Sequence, residues 1–260
     1  MRIREINLVS PQSVSECLHM LTNGDGVYRI IAGGTDAVVR MKEGQIRPAT
    51  WINILNIKNL HFIREEDDGI HIGPLTTYTD ILQSELLRKK ADVLVQASLK
   101  VGATQIQNMG TIGGNIANAS PAGDTIPALY VLDAVIKLES LRVTRQIPIH
   151  TFFKGPGKTV MKNDELITDI IIQPQKDNEI GIFEKLGTRK AQSISIVNMA
   201  CLLKMGSGPR ECVDGKIAFG AAAPTVIHAK KCESMLYVSP LDNEMIQSIA
   251  KIAWKEVMPI

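Results

Sequence analysis

The 260-residue sequence predicts an α+β fold in two parts. Three observations lead there. The N-terminal stretch reads strand–helix–strand. From Val135 to Pro174, apolar and polar residues alternate as in antiparallel strands. The polar, proline-containing stretch Pro174 to Glu179, "PQKDNE", then precedes three more strands and two helices. A boundary there divides the chain into residues 1–175 and 176–260.

Each element has its own signal. "REINLV" is a short strand. Ser13 and Glu16 form a capping box, and Val14, Cys17, Leu18 and Leu21 fall on one face of the helix that follows. "TNGDG" ends it with turn chemistry. "YRIIAGG" is a buried-type strand, and "DAVVRMKEG" continues as a short helical or irregular piece. "WINILNI" and "GIHIGPLT" are strands, with the charged "REEDDG" as a solvated hairpin tip between them. A helical region from Thr77 to Gly102 has Thr79 as a cap of its first part and a second helix over Ala91 to Val101. Asp124 starts a short helix that carries Ile126, Leu129 and Leu132 inward. "VIKLES", "RVTRQIPI" and "ELITDIIIQP" are antiparallel strands. Beyond the boundary, "IGIFEKLG", "SIVNMACLLKM" and "GKIAFGAAA" form a three-stranded sheet. "PTVIHAKKCESML" and "LDNEMIQSIAKIAWKEV" are helices, the second beginning near Asp242 or Asn243.

Composition excludes several classes. The formal net charge is only +2, which argues against nucleic acid or an anionic membrane as partner. No apolar run approaches the roughly 18–20 residues of a membrane span, and the N-terminus has no apolar signal core. A cytoplasmic location is the expectation. Cys17, Cys201, Cys212 and Cys232 form no CxxC pair, so they read as packed, reduced thiols rather than cluster ligands. The five histidines are scattered and read as structural or exposed. No Ser-His-Asp set or carboxylate pair stands out, so no catalytic residue is assigned.

The chemistry lies in two glycine pairs. "IIAGGTD", Ile30 to Asp36, runs from a strand into a turn. Glycine permits positive φ and lets another molecule approach bare backbone. Successive N–H groups can then converge on an anion. Taken alone, the stretch is either such a nest or only a tight turn. It lacks the G-x-G-x-x-G of a dinucleotide fold and the Gly-Lys-Ser/Thr of a P-loop. "GTIGGN", from Gly110 to Asn115, offers similar chemistry again, followed by the small, polar "NASPAGD". Two such segments suggest one long ligand gripped at several points, and a dinucleotide such as FAD has the right size.

At this point "IIAGGTDAVVRMKEG" and "GATQIQNMGTIGGNIANASPAGDTIPAL" together resemble the FAD-binding subunit of the molybdenum hydroxylases, the xanthine dehydrogenase family. "FGAAAPTVIHA" is similar to a turn in that family's smaller domain, and the likeness covers nearly the whole chain. The resemblance implies a two-subdomain FAD-binding domain of the vanillyl-alcohol-oxidase (PCMH) type over 1–175, then a small antiparallel sheet with helices. It implies FAD contacts from Ile30, Ile31, Ala32, Gly33, Gly34, Thr35, Asp36 and Ala37, with the pyrophosphate at Gly33, Gly34 and Thr35. The second contact segment is Thr111, Gly113, Gly114 and Asn115. Val101 and Ile106 would line the cofactor, Asp124 would accept a hydrogen bond from it, Ile167 would touch the adenine region, and Lys185 would lie close by. Read without the family, Val101, Ile106 and Ile167 are ordinary core residues, Asp124 a helix cap, and Lys185 a surface lysine. Arg189 reads as an interface or solvated charge.

The resemblance further implies partners. They are a large molybdenum-cofactor subunit and a small subunit with 2Fe–2S centres, with NAD or another acceptor receiving the electrons. It also implies a further segment where relatives continue after "P-I". Two other readings stay open: a stand-alone flavin oxidoreductase of the UDP-N-acetylenolpyruvoylglucosamine reductase type, and a non-catalytic scaffold subunit.

Overall fold

The Ser13 hydroxyl starts the first helix by accepting a hydrogen bond from the Glu16 N–H at 3.1 Å, while the Glu16 carboxylate accepts from the Gln12 N–H. In this computed structural model, residues 6–24, 28–46, 50–189, 192–238 and 240–257 are described. The N-terminal elements are β1 (Asn7–Val9), α1 (Val14–Asn23), β2 (Tyr28–Ile31), α2 (Ala37–Lys42) and β3 (Thr50–Asn53). The expected strand–helix–strand unit forms, and β3 inserts between β1 and β2 to give an all-parallel sheet. Cys17, Leu18 and Leu21 bury one face of α1 against Ile52, Ile54, Ile57 and Leu60. Part of "TNGDG" lies outside the described residues.

A charged hairpin follows, β4 (Ile63–Glu66) and β5 (Gly69–Ile72). This corrects the reading of "REEDDG" as a tip: Arg64, Glu65 and Glu66 lie within β4, and only Asp67 and Asp68 form the turn. β4 is the edge of its sheet and exposes these side chains, so a charged run is compatible with a strand. His71 on β5 is buried between Asp169, at 2.7 Å, and Asp68, at 2.8 Å. Burial pulls its pKa down, but the hydrogen bonds to both carboxylates outweigh that and hold it above the ordinary value.

Next come α3 (Tyr78–Gln83), α4 (Glu85–Lys90), α5 (Asp92–Leu99), α6 (Thr104–Gln107), α7 (Ile112–Asn118) and α8 (Thr125–Val131). The cap of α3 is Thr77, not Thr79. Thr77 and Asp80 satisfy each other's backbone N–H in a reciprocal box, whose spacing Thr79 does not have. The helix α8 is buried along its whole length, as its apolar composition requires.

The strands β6 (Val135–Glu139) and β7 (Thr144–Pro148), the turn of helix α9 (Ile149–Phe152), the small hairpin β8 (Phe153–Gly155) with β9 (Lys158–Thr159), and β10 (Leu166–Ile172) complete this part. The expected antiparallel strands join the charged hairpin in the order β4-β5-β10-β6-β7.

The C-terminal elements are β11 (Glu179–Gly187), β12 (Ser195–Met205), β13 (Cys212–Gly220), β14 (Ile227–His228), α10 (Lys230–Met235) and α11 (Asn243–Ala253). The sheet is antiparallel in the order β11-β12-β13-β14. The expected helix over "PTVIHAKKCESML" is only its second half, because Ile227 and His228 pair with β13 instead. Glu233 of α10 anchors this arrangement by accepting from the Ile217 N–H at 2.9 Å and bonding the His228 ring at 2.8 Å.

The helices α5 and α8 pack against the C-terminal sheet, and one continuous core joins that sheet to the five-stranded one through Ile72, Leu129, Ile170, Phe183 and Ala200. All four cysteines are buried and unbridged, and burial raises each thiol's pKa. Among the described residues no helix is long and apolar enough to cross a membrane.

Candidate functional site: a cavity between two glycine segments

The strand β2 stops where its sequence turns to glycine, and Gly34 takes φ +72°, a value that favours glycine. The chain then turns into α2. Ile30, Ile31, Ala32, Gly33, Gly34, Thr35, Asp36 and Ala37 all line a cavity of about 550 Å³. The backbone N–H groups of Gly33, Gly34, Thr35 and Asp36 donate to no described residue. Gly33, Gly34 and Thr35 are half-buried and Asp36 is exposed, so these N–H groups lie along the wall of an open cavity without a described partner.

The second segment is built differently. Thr111, Gly113, Gly114 and Asn115 line the same cavity, but Gly113, Gly114 and Asn115 lie in the first turns of α7. Their N–H groups are already engaged. Ile112 donates to the Thr76 carbonyl, Gly113 to the Pro74 carbonyl, Gly114 to the Thr111 hydroxyl, and Asn115 to the Thr111 carbonyl. This corrects the reading of the two pairs as equivalent turns. Gly113 is required by close packing, since a Cβ there would stand 2.4 Å from the Pro74 side chain. Gly114 is exposed, and a Cβ there would press on the Thr111 cap hydroxyl at 2.9 Å and on nothing else outside its own helix. With Ala117 and Asn118 one turn on, it gives α7 a bare face toward the cavity.

The two segments touch. A Cβ on Gly33 would lie 1.6 Å from the Met109 carbonyl oxygen, so the first loop rests on the backbone that leads into the second segment. Ile167, buried on β10, lines the far wall with Leu166.

Val101, Ile106, Asp124 and Lys185 stand outside this lining and form a second group. The Lys185 ammonium donates to Asp124 at 2.6 Å and to the Lys100 carbonyl at 3.1 Å. The other Asp124 oxygen accepts from the Ser195 hydroxyl at 2.7 Å and the Asn198 amide at 3.0 Å. The side chains of Lys185 and Asp124 are only 9% and 8% exposed, so Lys185 is a buried ion-pair partner rather than a surface lysine. Asp124 occupies the cap position of α8 without capping it. Half-buried Val101 packs on the main core, beside Gly102, whose left-handed turn lies against Ile106. Arg189 is exposed and donates to the Gln192 carbonyl.

A contact joins the two groups: Thr125, next to Asp124, donates to the Asn115 amide oxygen at 2.8 Å. Tyr78 also lines the cavity, and burial raises its pKa, helped by the negative charges of Asp36 and Asp124.

Sequence reasoning missed several lining residues. Arg40 and Asn118 lie inside the two quoted motifs but carry no glycine signal of their own, while Tyr78 on α3 and Glu165 just before β10 come from elsewhere in the chain, where no local pattern marks them. Glu165 carries the clearest geometry. Arg145 grips it with two hydrogen bonds of 2.7 and 2.8 Å, and it accepts from the Lys162 N–H at 2.7 Å. Burial would raise its pKa, but these donors hold it below the ordinary carboxylate range. The grip fixes the strap from Thr159 to Glu165 that forms one side of the cavity.

Residues 4–175 match the family described as the FAD binding domain in molybdopterin dehydrogenase, and residues 183–260 match the CO dehydrogenase flavoprotein C-terminal domain. The chain is 34% identical to the nicotinate dehydrogenase FAD-subunit of Eubacterium barkeri over 96% of its own length and 86% of the relative's. It is 30% identical to the glyceraldehyde dehydrogenase medium chain of Sulfolobus acidocaldarius, over 98% and 89%. Its fold superposes on a chain of the reconstituted CO dehydrogenase from Oligotropha carboxidovorans with a TM-score of 0.95 and 27% identity, covering all of this chain and 90% of that one. The α+β architecture is therefore the PCMH-type FAD domain followed by the antiparallel C-terminal sheet. This chain belongs to the FAD-binding subunits of the molybdenum hydroxylase, or xanthine dehydrogenase, family of oxidoreductases, and its cofactor is FAD.

Proposed function

We propose that this chain is the electron-transfer subunit of a multi-subunit molybdenum hydroxylase, passing electrons from 2Fe–2S centres on a small subunit to NAD or another acceptor. A large subunit would carry the molybdenum cofactor. The relatives' names, nicotinate and glyceraldehyde dehydrogenase, differ in substrate while sharing this type of subunit, which supports placing substrate choice elsewhere in the complex. In this reading residues 1–175 form the FAD-binding domain, and 176–260 a C-terminal domain that brings Lys185 beside it.

One observation carries the reading: four backbone donors without a described partner, Gly33 to Asp36, line a cavity that the Gly114 and Ala117 face of α7 also lines. That geometry fits a diphosphate, which needs donors and close backbone approach. Gly33, Gly34 and Thr35 would hold the pyrophosphate. Gly114 and Asn115 would accommodate the chain of the cofactor, and Ile167 would contact its adenine region. Val101, Ile106, Asp124 and Lys185 would adjoin it from the second group. The flavin, when bound, supplies the redox chemistry of the subunit. The protein's part is to position it. Lys185 brings its ammonium beside the site as one half of a buried ion pair, held in direction by Asp124 and the Lys100 carbonyl.

The test is direct. The full chain, purified and mixed with FAD, is expected to turn yellow, with absorbance bands near about 370 and 450 nm. A protein that stays colourless overturns the reading. Co-purification with a large and a small subunit is the expected outcome when all three are expressed together, and isolation of the chain alone would overturn the assignment to a complex.

A further inference from the structure

A diphosphate brings roughly two negative charges, and backbone N–H groups offer only partial positive ones. With the N–H groups of the second segment engaged internally, the first loop is short of a full counter-charge. Among the described residues, the cations lining the cavity are Arg29, Arg40 and Lys162. Arg40 has the most telling position. It sits on α2 one turn beyond the loop, its N–H bonded to the Asp36 carbonyl at 3.0 Å. Its Nη1 donates to the Asn118 side-chain oxygen at 3.1 Å. Asn118 is on the bare face of α7, so this contact links the two glycine-bearing walls.

The choice of partner matters. Among the described residues, arginine ion pairs form at Arg64–Glu66, Arg142–Asp164 and Arg145–Glu165, and Arg40 is in none of them. An amide oxygen orients the guanidinium without neutralising it. One hydrogen bond leaves the remaining N–H groups of the planar fork available to an anion.

We propose that Arg40 is a binding residue for the FAD diphosphate, supplying one full positive charge beside the partial charges of the loop N–H groups, with Asn118 fixing the direction of the guanidinium. The proposal rests on the FAD reading above. It gives the neutral partner of an exposed arginine a purpose, and it makes part of the cofactor affinity electrostatic.

The test uses the full chain freed of flavin, titrated with FAD and, separately, with riboflavin, which has no phosphate. R40A is expected to raise the FAD Kd about tenfold, equivalent to about 1.4 kcal/mol. That is the low end for a charge-assisted hydrogen bond, as suits an exposed side chain. The riboflavin Kd is expected to stay within about twofold. R40K recovers part of the loss, and N118A gives a smaller one, about threefold. The gap between wild type and R40A should shrink at 1 M salt, where the Debye length falls to about 3 Å. Equal FAD affinity in wild type and R40A, an equal loss toward riboflavin, or a gap insensitive to salt overturns the proposal. Wild-type protein that binds no FAD overturns the reading beneath it as well, so the two failures are distinguishable.

Discussion

Lys185→Met removes the ammonium and keeps an apolar stem of similar length. In the wild type that ammonium lies 2.6 Å from Asp124, with both side chains less than a tenth exposed. Deleting one partner of a buried pair costs about 3–5 kcal/mol, because the other charge is left uncompensated. Here Asp124 keeps two donors, the Ser195 hydroxyl and the Asn198 amide, so the lower end applies, about 3 kcal/mol. For a chain of this size that is a fall in Tm of about 6–12 °C. Lys185→Met combined with Asp124→Asn removes both charges and should regain at least half of the loss. Urea denaturation followed by circular dichroism, across the wild type, both single variants and the double, supplies the cycle. A loss under about 1 kcal/mol for Lys185→Met, or a double variant whose loss equals the sum of the singles, would refute the buried pair as the origin of the effect.

Two further outcomes follow from the geometry. Gly33→Ala should lose both flavin and about 1–3 kcal/mol of stability, because its Cβ would collide with the Met109 backbone. Gly114→Val should stay folded with a loss of up to about 2 kcal/mol from displacing the Thr111 cap hydroxyl, yet be flavin-poor, since its side chain enters the cavity. The ratio of absorbance at about 450 and 280 nm, read beside Tm, separates the two, and full flavin in Gly114→Val would contradict this account of the loop. Acid stability offers the other test. Burial opposes ionisation of Glu233, but the His228 ring, the Ile217 N–H and Lys230 prevail and lower its pKa from 4.5 to about 2. A depressed carboxylate pKa contributes stability that is present above 4.5 and lost as pH falls through about 2. The drop corresponds to about 3 kcal/mol. Glu233→Gln should therefore flatten the stability–pH curve over that window, and parallel curves for the two proteins would count against it.

Much of the fold was legible in the order of residues because its signals are local. The face of α1 follows from Cys17, Leu18 and Leu21 at helical spacing, and the central strands from the alternation in "VIKLES" and its neighbours. The glycine pairs marked the places where backbone must come close to something, and the long motif around "GTIGGN" was specific enough to name the family. Charge misled where an edge strand exposes its side chains, as in β4, since solvent contact is a property of the sheet and not of the segment. A capping threonine was misplaced by two residues because its partner, Asp80, decides which hydroxyl closes the box.

By itself, then, the sequence determined most of the elements and the class of cofactor, and it marked the two glycine segments that line the cavity, all of which depend on short-range periodicity or on contiguous motifs. Only the tertiary structure decided how the two glycine segments divide their work. Whether an N–H is free depends on which distant carbonyl reaches it, and Pro74 and Thr76 reach the second segment while nothing described reaches the first. The same holds for the pairs Lys185–Asp124 and Arg40–Asn118, whose members are 61 and 78 residues apart. Their meaning as ion pair and oriented cation comes from burial and direction, which arise only when separate elements pack.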